Sequence, residues 1–260
     1  MISEVYRFNE TEMLLFFMVL MRMTSFVVSW PVFGVESIAA HVKVLFALIL
    51  SLVIFPTLHW SPAQMEAVKS DLMLLAAREA FIGLSIGYLA RFFFFGFRIA
   101  GEMMSQALGL SSAQMFNPAI GGQVSVIENF YVGLASLFYL CVNGHHFLIT
   151  GLVHSFDMVH AAQLTLNTSQ FAGIGQMTQE VVELGLKLSA PVVVAILVIN
   201  LVLGVVGKTV PQLNVLVTSF PVNILVGLGL IMITLPMTMD HMGAYLEVST
   251  TRVFQFVKAF

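Results

Sequence analysis

Thr209-Val-Pro-Gln-Leu-Asn-Val-Leu-Val-Thr-Ser-Phe-Pro-Val-Asn-Ile-Leu-Val-Gly-Leu-Gly-Leu-Ile-Met-Ile-Thr-Leu-Pro-Met-Thr-Met239 is thirty-one residues long and holds no Asp, Glu, Lys or Arg. About 20 mostly apolar residues suffice to cross a ~30 Å hydrocarbon layer as a helix. Residues 188–207 form a second charge-free stretch, and Lys208 alone separates the two. The pattern predicts a helical hairpin made for a bilayer, or for the dry interior of a membrane complex. It sets the fold class as all-α and membrane-associated.

The rest of the chain repeats this message. Only 10% of its residues are charged, against roughly 25% in soluble domains, and the mean hydropathy is +0.94. The net charge of −3 and the lack of any basic run argue against nucleic-acid binding and against an anionic-lipid patch. A lone cysteine, Cys141, rules out an internal disulfide or a cysteine metal cluster; its apolar surroundings suggest a small core residue. Residues 1–7 lack the basic region of a secretory signal, and no small-residue cleavage site follows. The first apolar segment is therefore expected to stay in the mature protein.

Working outward, helices are expected over about residues 11–30, 41–59, 70–106, 126–142, 145–160, 176–207 and 212–239, before a more polar tail. Ser70-Asp71 offers an N-cap for the third. Trp60-Ser61-Pro62 puts an interfacial aromatic beside a helix-stopping proline. Charges recur inside two of these segments: Arg22 in the first, and Arg78, Glu79, Arg91, Arg98 and Glu102 in the third. Each would cost ~2.5–3.5 kcal/mol at a bilayer centre, so these helices are not expected to face lipid all round. Pro191, Pro211, Pro221 and Pro236 punctuate the final hairpin, and the backbone groups they free need protein partners. Gly83-x-x-x-Gly87 offers a close-packing face. Lys208 marks a cytoplasmic turn by the positive-inside rule.

The most unusual segment is Gly109-Leu-Ser-Ser-Ala-Gln-Met-Phe-Asn-Pro-Ala-Ile-Gly-Gly122. Asn117-Pro118 and Gly121-Gly122 are strong turn signals. Irregular backbone among membrane helices is tolerated only where protein covers it or where it lines a cavity.

With this loop in view, the chain resembles a known family. Arg78-Glu-Ala-Phe-Ile-Gly-Leu-Ser-Ile-Gly87, Ala100-Gly-Glu102, Gln106-Ala-Leu-Gly-Leu110 and Asn117-Pro118 are similar to the central block of the FliR/SpaR/SctT export-gate proteins of flagella and injectisomes. Asn143-Gly-His-His146 with Ser155-Phe156 resembles that family's next block. Gly207-Lys-Thr-Val-Pro-Gln-Leu-Asn-Val215, Phe220-Pro221 and Gly227 resemble its C-terminal hairpin. Asn117 stands where the family commonly has Asp, which leaves the turn intact.

The resemblance implies a non-enzymatic component of a type III protein export gate. It implies a FliP-like helical part over residues 1–175, and a FliQ-like hairpin over 176–260 turning at Lys208 and Pro211. The implied partners are FliP-like and FliQ-like subunits in one complex, FlhB-like and FlhA-like export proteins, unfolded secreted cargo and membrane lipid. The implied place is the bacterial inner membrane and the flagellar basal body, with much of the assembly towards the periplasm. No cofactor is implied. The family's plug maps onto residues 109–122.

The loop's chemistry suits a plug. Gly109, Gly121 and Gly122 permit refolding; the small polar Ser111, Ser112, Gln114 and Asn117 make a bore without strong binding sites; Met115 and Phe116 suit closure by dewetting, and Leu110 and Pro118 complete the candidate plug. Met103 and Met104 just before it are candidate gasket residues, since methionine adapts to irregular contacts. Arg78, Glu79, Arg98 and Glu102 read as buried or intersubunit polar groups, and Arg98 and Glu102 stand at i,i+4 spacing. Glu183 and Lys187 form a better-oriented pair of the same kind. His146, His154, Asp157 and His160 fall within one helical arc beside His145. That stripe supports the alternative of a stand-alone metal- or proton-coupled transporter, although no internal repeat accompanies it. No catalytic or nucleotide-binding motif is present.

Overall fold

The computed structural model describes residues 9–32, 38–60, 62, 65, 72–110, 125–158, 169–210, 212 and 214–257. Among these there is no strand, and the chain is all-α. The helices are α1 (Glu10–Ser29), α2 (Ala40–Ile54) with a 3-10 turn (Phe55–Thr57), α3 (Leu72–Leu108), α4 (Val126–Cys141), α5 (Gly144–Met158), α6 (Ser169–Thr209) and α7 (Val215–Val257). Five helical stretches are long and apolar enough to cross a membrane, and the bent α4–α5 pair makes a sixth if counted together.

Local sequence accounts for the ends. Asn9 caps α1 in a capping box with Glu12, its side chain accepting from Glu10 N at 2.9 Å. Such caps contribute about 1 kcal/mol. Trp30 leaves helical geometry just before Pro31, as expected of a residue preceding proline. The short α4–α5 link holds Asn143 at φ 57, the left-handed region that asparagine tolerates better than most residues.

The chain forms two units, one of residues 1–92, 143–175 and 248–260, the other of 93–142 and 176–247. In the first, α1 packs on α2 and on the N-terminal half of α3. Leu15, Met18 and Leu75 form a core with Phe55 and Trp60 against it, and Phe16 meets Phe55 edge to face. The expected Gly83/Gly87 face is the α1–α3 contact. A Cβ on Gly83 would lie 2.3 Å from the Arg22 carbonyl oxygen, and one on Gly87 2.0 Å from Ser29 Oγ. In the second unit, Phe93, Phe94 and Phe97 of α3 gather Tyr139 of α4 and Tyr245 of α7. Asn223 Nδ2 donates to Asn200 Oδ1 at 3.0 Å and ties α7 to α6.

Two expectations are corrected. The polar tail after Met239 is helical: α7 continues to Val257, burying Met242, Leu246 and Val253. The recurrence of those apolar positions keeps a helical face despite Asp240, Glu247 and Arg252. Pro191, Pro221 and Pro236 lie inside α6 and α7, within the helix bounds expected from the sequence. Cys141, expected in the core, is exposed at the end of α4. Ser70 and Asp71 lie outside the described residues.

Candidate functional site

The candidate plug begins where α3 stops. Leu110 N donates to Ser105 O and Gly109 N to Gln106 O, each at 3.1 Å, with Gly109 at φ 80. These bonds make a Schellman cap, in which glycine takes the left-handed position without steric cost. A Cβ on Gly109 would come within 2.8 Å of the Phe220 ring of α7. Any other residue here would strain the backbone and push on α7 together. Ser111, Ser112, Met115, Phe116, Asn117, Pro118, Gly121 and Gly122 lie outside the described residues. The chain resumes at Ser125, whose Oγ accepts from Glu128 N at 3.4 Å and caps α4.

The candidate gasket pair is split by burial. Met104 is fully buried, while Met103 is partly exposed and its sulfur accepts from Ser189 Oγ at 3.5 Å. A groove of about 420 Å³ lies nearby, lined by Ala107 of α3 and by Val193, Ile196, Leu197, Asn200 and Leu201 of α6.

Two charged centres hold the helices. Arg22 Nε donates to Glu79 Oε2 at 2.5 Å and Arg22 Nη1 to Ser155 Oγ at 2.7 Å. The guanidinium also lies 3.9 Å from the centre of the Phe156 ring. One buried arginine of α1 thereby joins α3 and α5, and Ser155 Oγ in turn donates a hydrogen bond to Leu152 O. Arg78, next to Glu79, is buried too. Arg91 Nε donates to Ser29 O at 2.7 Å, meeting a carbonyl that the end of α1 leaves open.

The second centre joins α3 to α4. Arg98 pairs with Glu128 rather than with Glu102, whose Oε1 accepts from Gln106 Nε2 at 2.9 Å. Glu102 also faces the Glu128 carboxylate. Sequence spacing gave Arg98 a partner on its own helix; the partner in the structure comes from the next one. Glu183 and Lys187 do pair, at 2.7 Å on an exposed face of α6.

Of the histidine stripe, His154 Nδ1 stands 3.9 Å from Asp157 Oδ2, both largely exposed, and the His145 and His146 rings are 4.2 Å apart. His160 lies outside the described residues. Among the described residues no three His, Cys, Asp or Glu side chains gather where they could hold a metal ion. Lys208 is exposed in the last turn of α6, where a cation complements the helix dipole; Pro211 lies outside the described residues. Sequence reasoning noted Arg22 only as an interruption and passed over Glu128, Ser155, Asn200 and Asn223. An arginine in the middle of a 20-residue apolar helix was itself the signal, since it demands a buried partner.

Residues 13–248 match the family described as bacterial export proteins, family 1. The chain is 35% identical to the flagellar biosynthetic protein FliR of Bacillus subtilis over 81% of its length and 82% of that protein. It is 31% identical to FliR of Escherichia coli over 86% of its length and 85% of that protein. The chain belongs to the FliR family. FliR of Aquifex aeolicus aligns over 92% of both chains at 28% identity. In this FliR-family chain the Gly109 cap and the two charged centres fall inside the matched span, which also covers most of each long apolar helix.

Proposed function

We propose that this chain is a membrane component of the flagellar type III export gate, helping to form and seal the channel that passes unfolded substrates across the inner membrane. The observation that carries this reading is the family match from residue 13 to 248, together with several relatives that are flagellar biosynthetic proteins along nearly their whole length. The apolar helices supply the membrane setting.

Within that role, residues 1–175 act as a FliP-like part and 176–260 as a FliQ-like hairpin, joined to FliP-like and FliQ-like subunits. FlhB-like and FlhA-like proteins associate with the finished complex, much of which stands towards the periplasm in the basal body. Residues 109–122 plug the resting channel, and Met103 with Met104 forms a gasket around it. Support for the plug comes from its start at a Schellman cap against Phe220, and from the lack of any Asp, Glu, Lys or Arg between Met103 and Ile127. The chain contributes no catalysis; the energy for export comes from other subunits.

Mild-detergent purification of the tagged chain from its own cells tests the reading. Co-isolation of FliP-like and FliQ-like proteins, with loss of motility on deletion of the gene, is the expected result. A stable solitary monomer, with motility intact in the deletion strain, would overturn it.

A further inference from the structure

We propose that Arg98 is a two-position latch between α3 and α4. It pairs with Glu128 when the helices are closed, and with Glu102, one turn along its own helix, when they part. Three features of the closed state point to this exchange.

The partners are unequal in burial: the Arg98 side chain is 55% exposed, that of Glu128 only 6%. A long, exposed guanidinium is free to swing, whereas the carboxylate it serves is held inside. Next, an alternative partner is already in place. Glu102 sits at i+4 from Arg98 and faces Glu128, so two carboxylates compete for one cation and repel each other while the latch is closed. Gln106 Nε2 donates to Glu102 Oε1 at 2.9 Å and so holds that carboxylate one turn from Arg98. Lastly, the contact is close enough to be all-or-none. A Cβ on Gly101 would lie 2.6 Å from Glu128 Cα and 3.0 Å from Ile127 O, so the two backbones touch at the latch itself.

These features couple release to separation. A desolvated carboxylate stripped of its cation is strongly unfavourable, so Arg98 leaves only as the first turn of α4 lifts and admits water to Glu128. Once there, Glu102 satisfies Arg98 and the open state leaves no orphaned charge. Closely packed contacts of this kind switch between discrete arrangements rather than deforming continuously.

The test is hydrogen–deuterium exchange over residues 126–131 in the purified membrane complex, comparing the wild type with Glu128→Gln and Glu102→Gln. Glu128→Gln removes the closed partner and should speed exchange about tenfold, the effect of a ~1.4 kcal/mol shift. Glu102→Gln removes both the repulsion and the open-state partner and should slow it. Arg98→Ala, which leaves Glu128 without its cation, should likewise speed exchange if Glu128→Gln does not assemble. Changes in the same direction for Glu102→Gln and Glu128→Gln, or no change in either, would overturn the latch. Its link to conduction rests on the export-gate reading and is read separately, as ion conductance of the complex in liposomes. Opposed exchange effects with flat conductance would keep the latch and count against that reading alone.

Discussion

Arg22 shows how one residue organises a membrane-buried unit. An unpaired arginine at a helix centre in a bilayer costs ~2.5–3.5 kcal/mol on insertion scales. Here the guanidinium is almost wholly buried and spends its donors on Glu79 and Ser155, with its flat face on Phe156. Removing one member of a buried pair strands the other charge, a loss of about 3–5 kcal/mol. Arg22→Ala is therefore expected to lower the thermal unfolding midpoint of the purified protein sharply, and Arg22→Lys less so, because an ammonium lacks the planar fork that meets Glu79, Ser155 and Phe156 together. The Arg22→Met, Glu79→Met double variant should recover part of the loss, since it strands neither Arg22 nor Glu79 but takes the neighbouring carboxylate from buried Arg78. A double variant as unstable as Arg22→Ala would show that packing, rather than charge pairing, sets the stability here.

Helix against helix, the contacts are set by where side chains are missing. The α1–α3 crossing leaves no room for a Cβ at Gly83, which would sit 2.3 Å from a backbone carbonyl that cannot swing away. Gly83→Ala must push the helices apart and should destabilise by about 1–3 kcal/mol. Gly133 of α4 has nothing within 4 Å of a built Cβ, and Gly133→Ala should be neutral or stabilise by up to ~1 kcal/mol through helix propensity. Paired unfolding measurements on the two variants read this directly, and equal effects would dismiss close approach as the reason for Gly83. Both the helices and the close-packing face of Gly83 and Gly87 were legible in the sequence, because apolar run length and small-residue spacing are local signals; that α1 fills this face was not. The continuation of α7 was not: Asp240, Glu247 and Arg252 lowered the average hydropathy, while the buried Met242, Leu246 and Val253 kept the helical face. Nor was the Arg98–Glu128 pair, because an i,i+4 carboxylate was available and choosing between two partners depends on tertiary packing. Arg22 with Ser155 was hidden for the same reason, being 133 positions apart.

At the scale of the whole molecule, a channel wide enough for an unfolded chain must still hold back ions at rest. Under the proposed function the described helices serve as its walls: they are long and apolar, and the buried Arg22–Glu79 pair and close backbone contacts hold them. On the proposed plug, sealing falls to the segment between the Gly109 cap and the Ser125 cap, whose hydrogen bonds fix where α3 ends and α4 begins. Its sequence carries no Asp, Glu, Lys or Arg, so it offers an ion no charged site, and Met115 and Phe116 favour a dry constriction. Deleting residues 111–121 while keeping both caps should therefore raise ion leakage through the assembled complex without preventing its assembly. Halide uptake by inner-membrane vesicles measures the leak, and co-isolation of the other subunits from the same vesicles confirms assembly. Substituting Met115 and Phe116 with serine should give a smaller rise in the same direction, because it wets the constriction while leaving the chain in place. An assembled complex whose leak stays at the wild-type level after the deletion would refute the plug, and would move the seal to the helices themselves.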